Sequence, residues 1–341
     1  MKKSLYFLIV LLAGLFSACE TDFDVTADYK DVTIVYGLLD PGDSVHYVKI
    51  NKAFLGEGNL LEYASIEDSS TYQNKLDVKL IEMDGDNVVR ELSLDTTTIY
   101  NKEEGVFYHP RQTVYTTGVN NKIFLNQNYT YKIRIENPAT NKIISSETPL
   151  IRDFSIIKPA LNSLLFPTIH IPNNENDNEI SWYSAENGKL YQVVIYFSFY
   201  EVDNAGDSTL RTLRWGKFTT SKSNGNDGGE LMREQFKNSS FYDFVEANTP
   251  YEDQAKEDNV NVRHAEILDF EITVASEDFN TYAEVYKPSS SLNQYTSDYT
   301  NIENGLGLFT TRYTKTRSLH PQKATRNLLN MLQVKFANPD L

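Results

Sequence analysis

A chain of 341 residues with 40% hydrophobic and 12% aromatic side chains has material for two domains with real cores, which excludes a disordered tail protein. Its 47 acidic against 32 basic side chains leave a net charge of −15, and this excludes a nucleic-acid binder, which needs a basic footprint to neutralise phosphates. A single cysteine excludes an internal disulfide and any cysteine-cluster metal site.

Lys2 and Lys3 precede an uninterrupted apolar run over residues 5–16, followed by Ser17, Ala18 and Cys19. The run has the length of a secretory signal core and falls short of the about 20 residues that a membrane-spanning helix needs. Apolar run, small residues and cysteine together resemble a bacterial lipobox, with Phe16 where leucine is usual. The resemblance implies that a signal peptide over 1–18 is removed, that the Cys19 thiol takes a diacylglycerol and that the new amine is acylated, with palmitate-type chains. Such chains hold a soluble body to a membrane at about 0.8 kcal/mol per buried methylene. The alternative is a plain secretory signal with an incidental cysteine, but a lone free thiol just past a cleavage site is out of place in an exported protein. Residues 19–27 then read as a tether. Its acidic side chains Glu20, Asp22 and Asp24 resemble the surface-export signal of Bacteroidetes lipoproteins, against the alternative of an ordinary polar linker. The expected location is the outer membrane, lipid-anchored, with the body at the cell surface.

From Val32 the chain reads as strands and turns. A strand over 32–39 leads into Asp40-Pro41-Gly42-Asp43, whose proline and glycine predict a type II turn, and residues 45–50 return. Leu76, Val78 and Leu80 alternate with polar residues. Tyr129, Tyr131, Ile133 and Ile135 alternate strictly with Thr130, Lys132, Arg134 and Glu136, the clearest half-buried strand in the chain. Residues 137–141 turn it back into a strand over 142–148, while 58–70 predict a short helix or an irregular excursion.

Pro149 to Pro159 marks a domain junction. Beyond it, 180–183 carries Trp182, and 190–202 is a long strand with Tyr191, Val193, Ile195, Phe197 and Phe199 on one face. A loop at 203–207 leads into 209–219, and 221–229 reads as a flexible surface loop. Leu268, Phe270, Ile272 and Val274 form the apolar face of a further strand. Ser276 can cap a helix that opens with Glu277 and Asp278, places Phe279, Tyr282, Ala283 and Tyr286 on one stripe, and stops at Lys287-Pro288. Residues 230–246 and 322–332 are weaker helix candidates. The expected architecture is therefore mainly β: two antiparallel β-sandwich domains of immunoglobulin/fibronectin-like type, over 28–150 and 154–341, the second with inserted short helices.

Three stretches carry a wider resemblance: the opening strand pair at 32–54, the pair at 129–150 closing in Thr148-Pro149-Leu150, and 272–309 ending in Asn304-Gly305-Leu306-Gly307-Leu308-Phe309. In these the mature chain resembles a family of Bacteroidetes outer-membrane lipoproteins carrying a domain of unknown function, often found beside TonB-dependent receptors. The resemblance implies a two-domain β-rich surface lipoprotein whose partner class is a TonB-dependent outer-membrane receptor. It implies no catalytic residues. Read directly, the two glycines of the last motif allow a tight turn into a strand starting at Leu308.

Chemistry-bearing patterns are sparse. His46, His109, His170, His264 and His320 are all more than four residues apart, so no metal-ligand spacing arises. His46, on the strand face of Val48 and Ile50, reads as a core or interface histidine. There is no nucleophile elbow, and Asp84-Gly85-Asp86-Asn87 and residues 203–207 read as hairpin turns rather than calcium loops. No cofactor, metal or catalytic residue is expected. The 22 tyrosines admit a glycan-binding role, although tyrosine is also simply a good strand former. The expected function is a non-enzymatic surface lipoprotein, an accessory or binding subunit of an outer-membrane transport or envelope complex; the alternative is a glycan-binding or adhesive lipoprotein.

Overall fold

The computed structural model describes residues 32–52, 66–100, 111–118, 120, 122–216, 220–251, 255, 259–287 and 299–337. The signal peptide, Cys19, Glu20, Asp22, Asp24, His109 and most of the 58–70 stretch lie outside the described residues.

The fold is mainly β. The first half supplies β1 (Thr33–Leu39), β2 (Tyr47–Lys52), a short α1 (Glu67–Ser70), β3 (Asp77–Asp84), β4 (Asn87–Ser93), β5 (Asp95–Ile99), β6 (Gln112–Thr116), β7 (Thr130–Asn137) and β8 (Lys142–Pro149). Strands β4-β3-β7-β8 form one sheet, and β1-β2-β6-β5 line one end of a larger one. Period-2 alternation sends Leu76, Val78, Leu80, Tyr131, Ile133 and Ile135 inward, where they meet Val35, Leu39, Val48 and Ile50 of the larger sheet in one core. Tyr131 keeps its hydroxyl satisfied there: it donates to Glu82 Oε1 at 2.8 Å and accepts from Asn126 N.

The second half supplies β9 (Ile156–Lys158), β10 (Thr168–Ile169), β11 (Asp177–Tyr183), β12 (Leu190–Asp203), β13 (Ser208–Trp215), β14 (Ser221–Lys222), β15 (Leu231–Lys237), α2 (Asn238–Ala247), β16 (Val260–Ala275), α3 (Glu277–Val285), β17 (Gly305–Pro321) and α4 (Lys323–Asn330). The expected inward sets of β12 and β16, from Tyr191 to Phe199 and from Leu268 to Val274, are fully buried. Facing them across a second core are Trp182 of β11, Phe236 of β15, Phe241 of α2 and Leu329 of α4.

Several expectations need correction. The large sheet runs β13-β12-β16-β17-β1-β2-β6-β5 without a break, so the two halves share it. β17 is the shared strand: Gly305–Thr311 pairs with β1, and Arg312–Leu319 pairs with β16. Ile302 and Phe309, placed by sequence in the second domain, belong to the first core. The pairings of β17 with β1 and with β10 are parallel, so the sheets are not purely antiparallel. β17 also begins at Gly305 rather than Leu308. Gly42 lies outside the left-handed region, because the Asp40 carboxylate accepts from Gly42 N at 2.9 Å and that side-chain turn sets the bend without positive φ. Residues 230–246 are a strand followed by a helix. Within 221–229, Ser223 is buried and its hydroxyl donates to the carbonyls of Gly188 and Gly225, which fixes a loop expected to be free.

Candidate functional site

β1, β2 and β17 each turn one face to the core and the other outward. The outward residues of β1 are Tyr36 and Leu38, and those of β2 are Tyr47 and Lys49; Tyr36 lies opposite Lys49 on one side and Leu308 on the other. Helix α3 lies against β17 here. Its N-cap Ser276 accepts from Phe279 N and also bonds the buried Thr310 hydroxyl, while Asp278 accepts from Tyr299 at 2.6 Å and from Asn301 at 3.1 Å. Asn301 in turn bonds both backbone groups of Phe309, so the helix is pinned to the strand.

Spacing along α3 places Phe279, Tyr282, Ala283 and Tyr286 on one stripe. The buried residue of this helix is Asn280, and Phe279 and Tyr282 of the stripe line a groove of about 470 Å³ between α3 and the sheet. Tyr282 donates to the Tyr36 hydroxyl at 3.4 Å with the rings edge-on, centroids 6.4 Å apart, and Tyr286 lies 4.4 Å from Tyr282. Tyr36 and Tyr47 keep 46% and 43% of their surface in solvent, so ring surface and hydroxyls are both available to a ligand in the groove. Lys49, Asp43 and Arg312 supply charge around an otherwise apolar lining.

His46 is buried at the groove wall, as its strand position implied. Burial lowers its pKa, so the ring is neutral near pH 7, and Nε2 donates to the Ile123 carbonyl at 3.0 Å. Burial raises the Asp40 carboxyl, opposed by the Gly42 amide and by Arg312, 3.3 Å away. Desolvation, with the Tyr36 hydroxyl beside it, pushes the Tyr282 phenol well above its usual range, so it stays a neutral hydrogen-bonding group.

A second, more polar cleft of about 770 Å³ lies along β12 and β13, walled by Glu201, Asp203, Asp207 and Arg211. Asp203 Oδ1 accepts from the amides of Ala205 and Asp207, which is hairpin-turn geometry, as expected for 203–207. Among the described residues no group of three or more His, Cys, Asp or Glu side chains could hold a metal ion, and no helix is long and apolar enough to cross a membrane. His170 bonds the Thr325 hydroxyl and His320 bonds the Glu266 carbonyl.

The tyrosine groove was missed from sequence because it joins residues about 246 positions apart. The available signal was the stripe on α3 together with tyrosines at outward strand positions.

No family model matches the chain, and no curated relative matches it either. A search of solved structures returns the calcium-binding domain CBD12 of CALX1.1 at 10% identity, covering 84% of this chain and 99% of that one, with a TM-score of 0.14. A likeness at that level carries no inference about fold, calcium or function.

Proposed function

We propose that the protein is a non-enzymatic cell-surface lipoprotein, held in the outer membrane by acyl chains on Cys19, and that it serves as an accessory or binding subunit of an outer-membrane transport or envelope complex. The Tyr36–Tyr282 groove is its binding site. The observation that supports this reading is the exposure of an aromatic cluster with free ring surface on an outward sheet face, held in place by the capped, pinned helix α3. Rigid aromatics that can be fully desolvated by a partner are the side chains on which binding energy concentrates. A TonB-dependent receptor is the partner class that the sequence resemblance implies. The test is purification of the full chain from detergent-solubilised membranes. A stoichiometric β-barrel partner supports the reading, and a consistently monomeric extract contradicts it.

A second reading, glycan binding, draws on the same tyrosines, since ring faces stack on sugars while hydroxyls, Lys49 and Asp43 hydrogen-bond them. A glycan array probed with the full chain separates the two: a hit weakened by Tyr282→Ala favours the glycan, and no hit across host and plant polysaccharides counts against it.

A further inference from the structure

The loop between β9 and β10 ends in an apolar tip, Leu164-Leu165-Phe166, whose residues are 92%, 91% and 71% exposed. Hydrogen bonds fix its base. The Asn162 side chain accepts from Thr168 N at 2.9 Å and donates to the Thr168 hydroxyl and carbonyl, and Ser163 Oγ accepts from Phe166 N at 3.1 Å. The Phe166 ring rests 5.5 Å from the His320 imidazole. Leaving three consecutive large apolar side chains in water is costly, and a preset loop that does so marks a contact surface.

Charge around the loop is distributed unlike that of the rest of the chain. Residues 154–172 and 312–337 contain no Asp or Glu, although the chain as a whole carries a net −15. β10 pairs with the end of β17, Thr168 opposite His320, which sets these two segments side by side. Lys323 and Arg326 are exposed on them, as is Lys158, which ion-pairs with Glu179 of β11 at 3.4 Å. An apolar tip with basic residues toward its base matches the layering of a bilayer, acyl chains below and phosphates above.

We propose that this loop inserts its tip into an anionic lipid surface, giving the body a second, non-covalent hold on the membrane beside the acyl chains of Cys19. The inference rests on the lipid-anchor reading above. Only charges within about 8–10 Å of the bilayer act on it at physiological salt, so the basic residues of these segments count against Glu179, Glu266 and Asp269 beside them rather than against the net charge of the whole chain. Reach allows both contacts. Fully extended at about 3.3–3.6 Å per residue, the chain from Cys19 to Val32 spans roughly 45 Å. β17 carries the fold a similar distance, roughly 50 Å at ~3.3 Å per residue, from its Gly305 end beside β1 to its Pro321 end beside the loop. A body lying lengthwise on the membrane touches it at both ends, and tethering makes even a weak insertion effective.

The experiment uses the acylated full chain carrying Leu165→Trp, reconstituted into phosphatidylethanolamine–phosphatidylglycerol vesicles with plain or brominated acyl chains, with the wild-type chain subtracting Trp182 and Trp215. The expected result is quenching of the introduced indole by brominated chains, about twofold or more, and shielding from aqueous iodide. Quenching should weaken in phosphatidylcholine vesicles, and equal quenching there would overturn the role given to the basic residues. A chain retained on vesicles with its indole still in water contradicts the loop inference alone. A chain not retained at all contradicts both the loop and the lipid anchor. An indole shielded only after addition of an outer-membrane protein extract would show a protein pocket as the occupant and overturn the proposal.

Discussion

Gly307 meets the carbonyl of Val35 so closely that a Cβ built on it would lie 2.0 Å from Val35 O, at φ +110°. No side chain fits, because β1 and β17 pair in parallel at this point and the two halves of the fold are joined there. Gly307→Ala should therefore destabilise the protein by about 3 kcal/mol or more, through positive-φ strain and separation of the strands. Gly85→Ala, at φ +56° with nothing within 4 Å, is the control and should cost only about 1 kcal/mol. Thermal unfolding of both variants checks this; equal losses would contradict the role given to Gly307.

Phe270 is fully buried on β16, and Glu271 beside it points to the other face. Phe270→Ala should cost about 3–5 kcal/mol, and Glu271→Ala below ~1 kcal/mol. Urea unfolding midpoints that move equally for both would show that the register is misassigned.

Much of this was legible because alternation is a local signal. The buried faces of β7, β12 and β16 follow from period 2 alone, since a one-residue slip would turn each apolar set into solvent. What sequence could not show was which strand pairs with which. β1 and β17 meet across almost the whole chain, so a boundary drawn after Leu150 missed that residues 301–311 close the first core. Spacing along α3 likewise gave the stripe but not what it faces: Thr310 and Asn280 are buried, while Tyr282 lines the groove.

Arg263 is wholly buried, with Nε donating to Glu201 Oε1 at 3.0 Å and Nη1 to the carbonyls of Val334 and Pro250. Burial favours the neutral Glu201 carboxyl, but hydrogen bonds from Arg211 and Arg263 prevail and hold its pKa below the ordinary 4.5. A depressed folded-state pKa contributes stability above the unfolded value that is lost as pH falls through the folded one. Glu201→Gln should lower stability at pH 7 by about 2 kcal/mol, less than a fully dry pair because Glu201 borders the cleft, and should flatten the loss of stability below pH ~4.5. Urea titrations at pH 7 and in the acid range test this, and an unchanged acid slope would contradict it.

Cys19→Ala should release the protein from the membrane fraction; a variant that still partitions into the detergent phase like the wild type would contradict lipidation. Replacing Glu20, Asp22 and Asp24 by alanine should preserve acylation and reduce protease accessibility on whole cells. Equal accessibility of both forms would show that the acidic tether is not an export signal.

Partner retention by Tyr36→Ala/Tyr282→Ala tests most directly the proposed binding role of the groove between α3 and the sheet. Both rings stand partly in solvent, so the unfolding midpoint should stay close to that of the wild type. At about 2 kcal/mol for an aromatic hot spot, the variant should retain the co-purifying barrel partner, or an array-identified glycan, about 30-fold more weakly than the wild-type chain. Equal retention by two equally folded proteins would contradict the account.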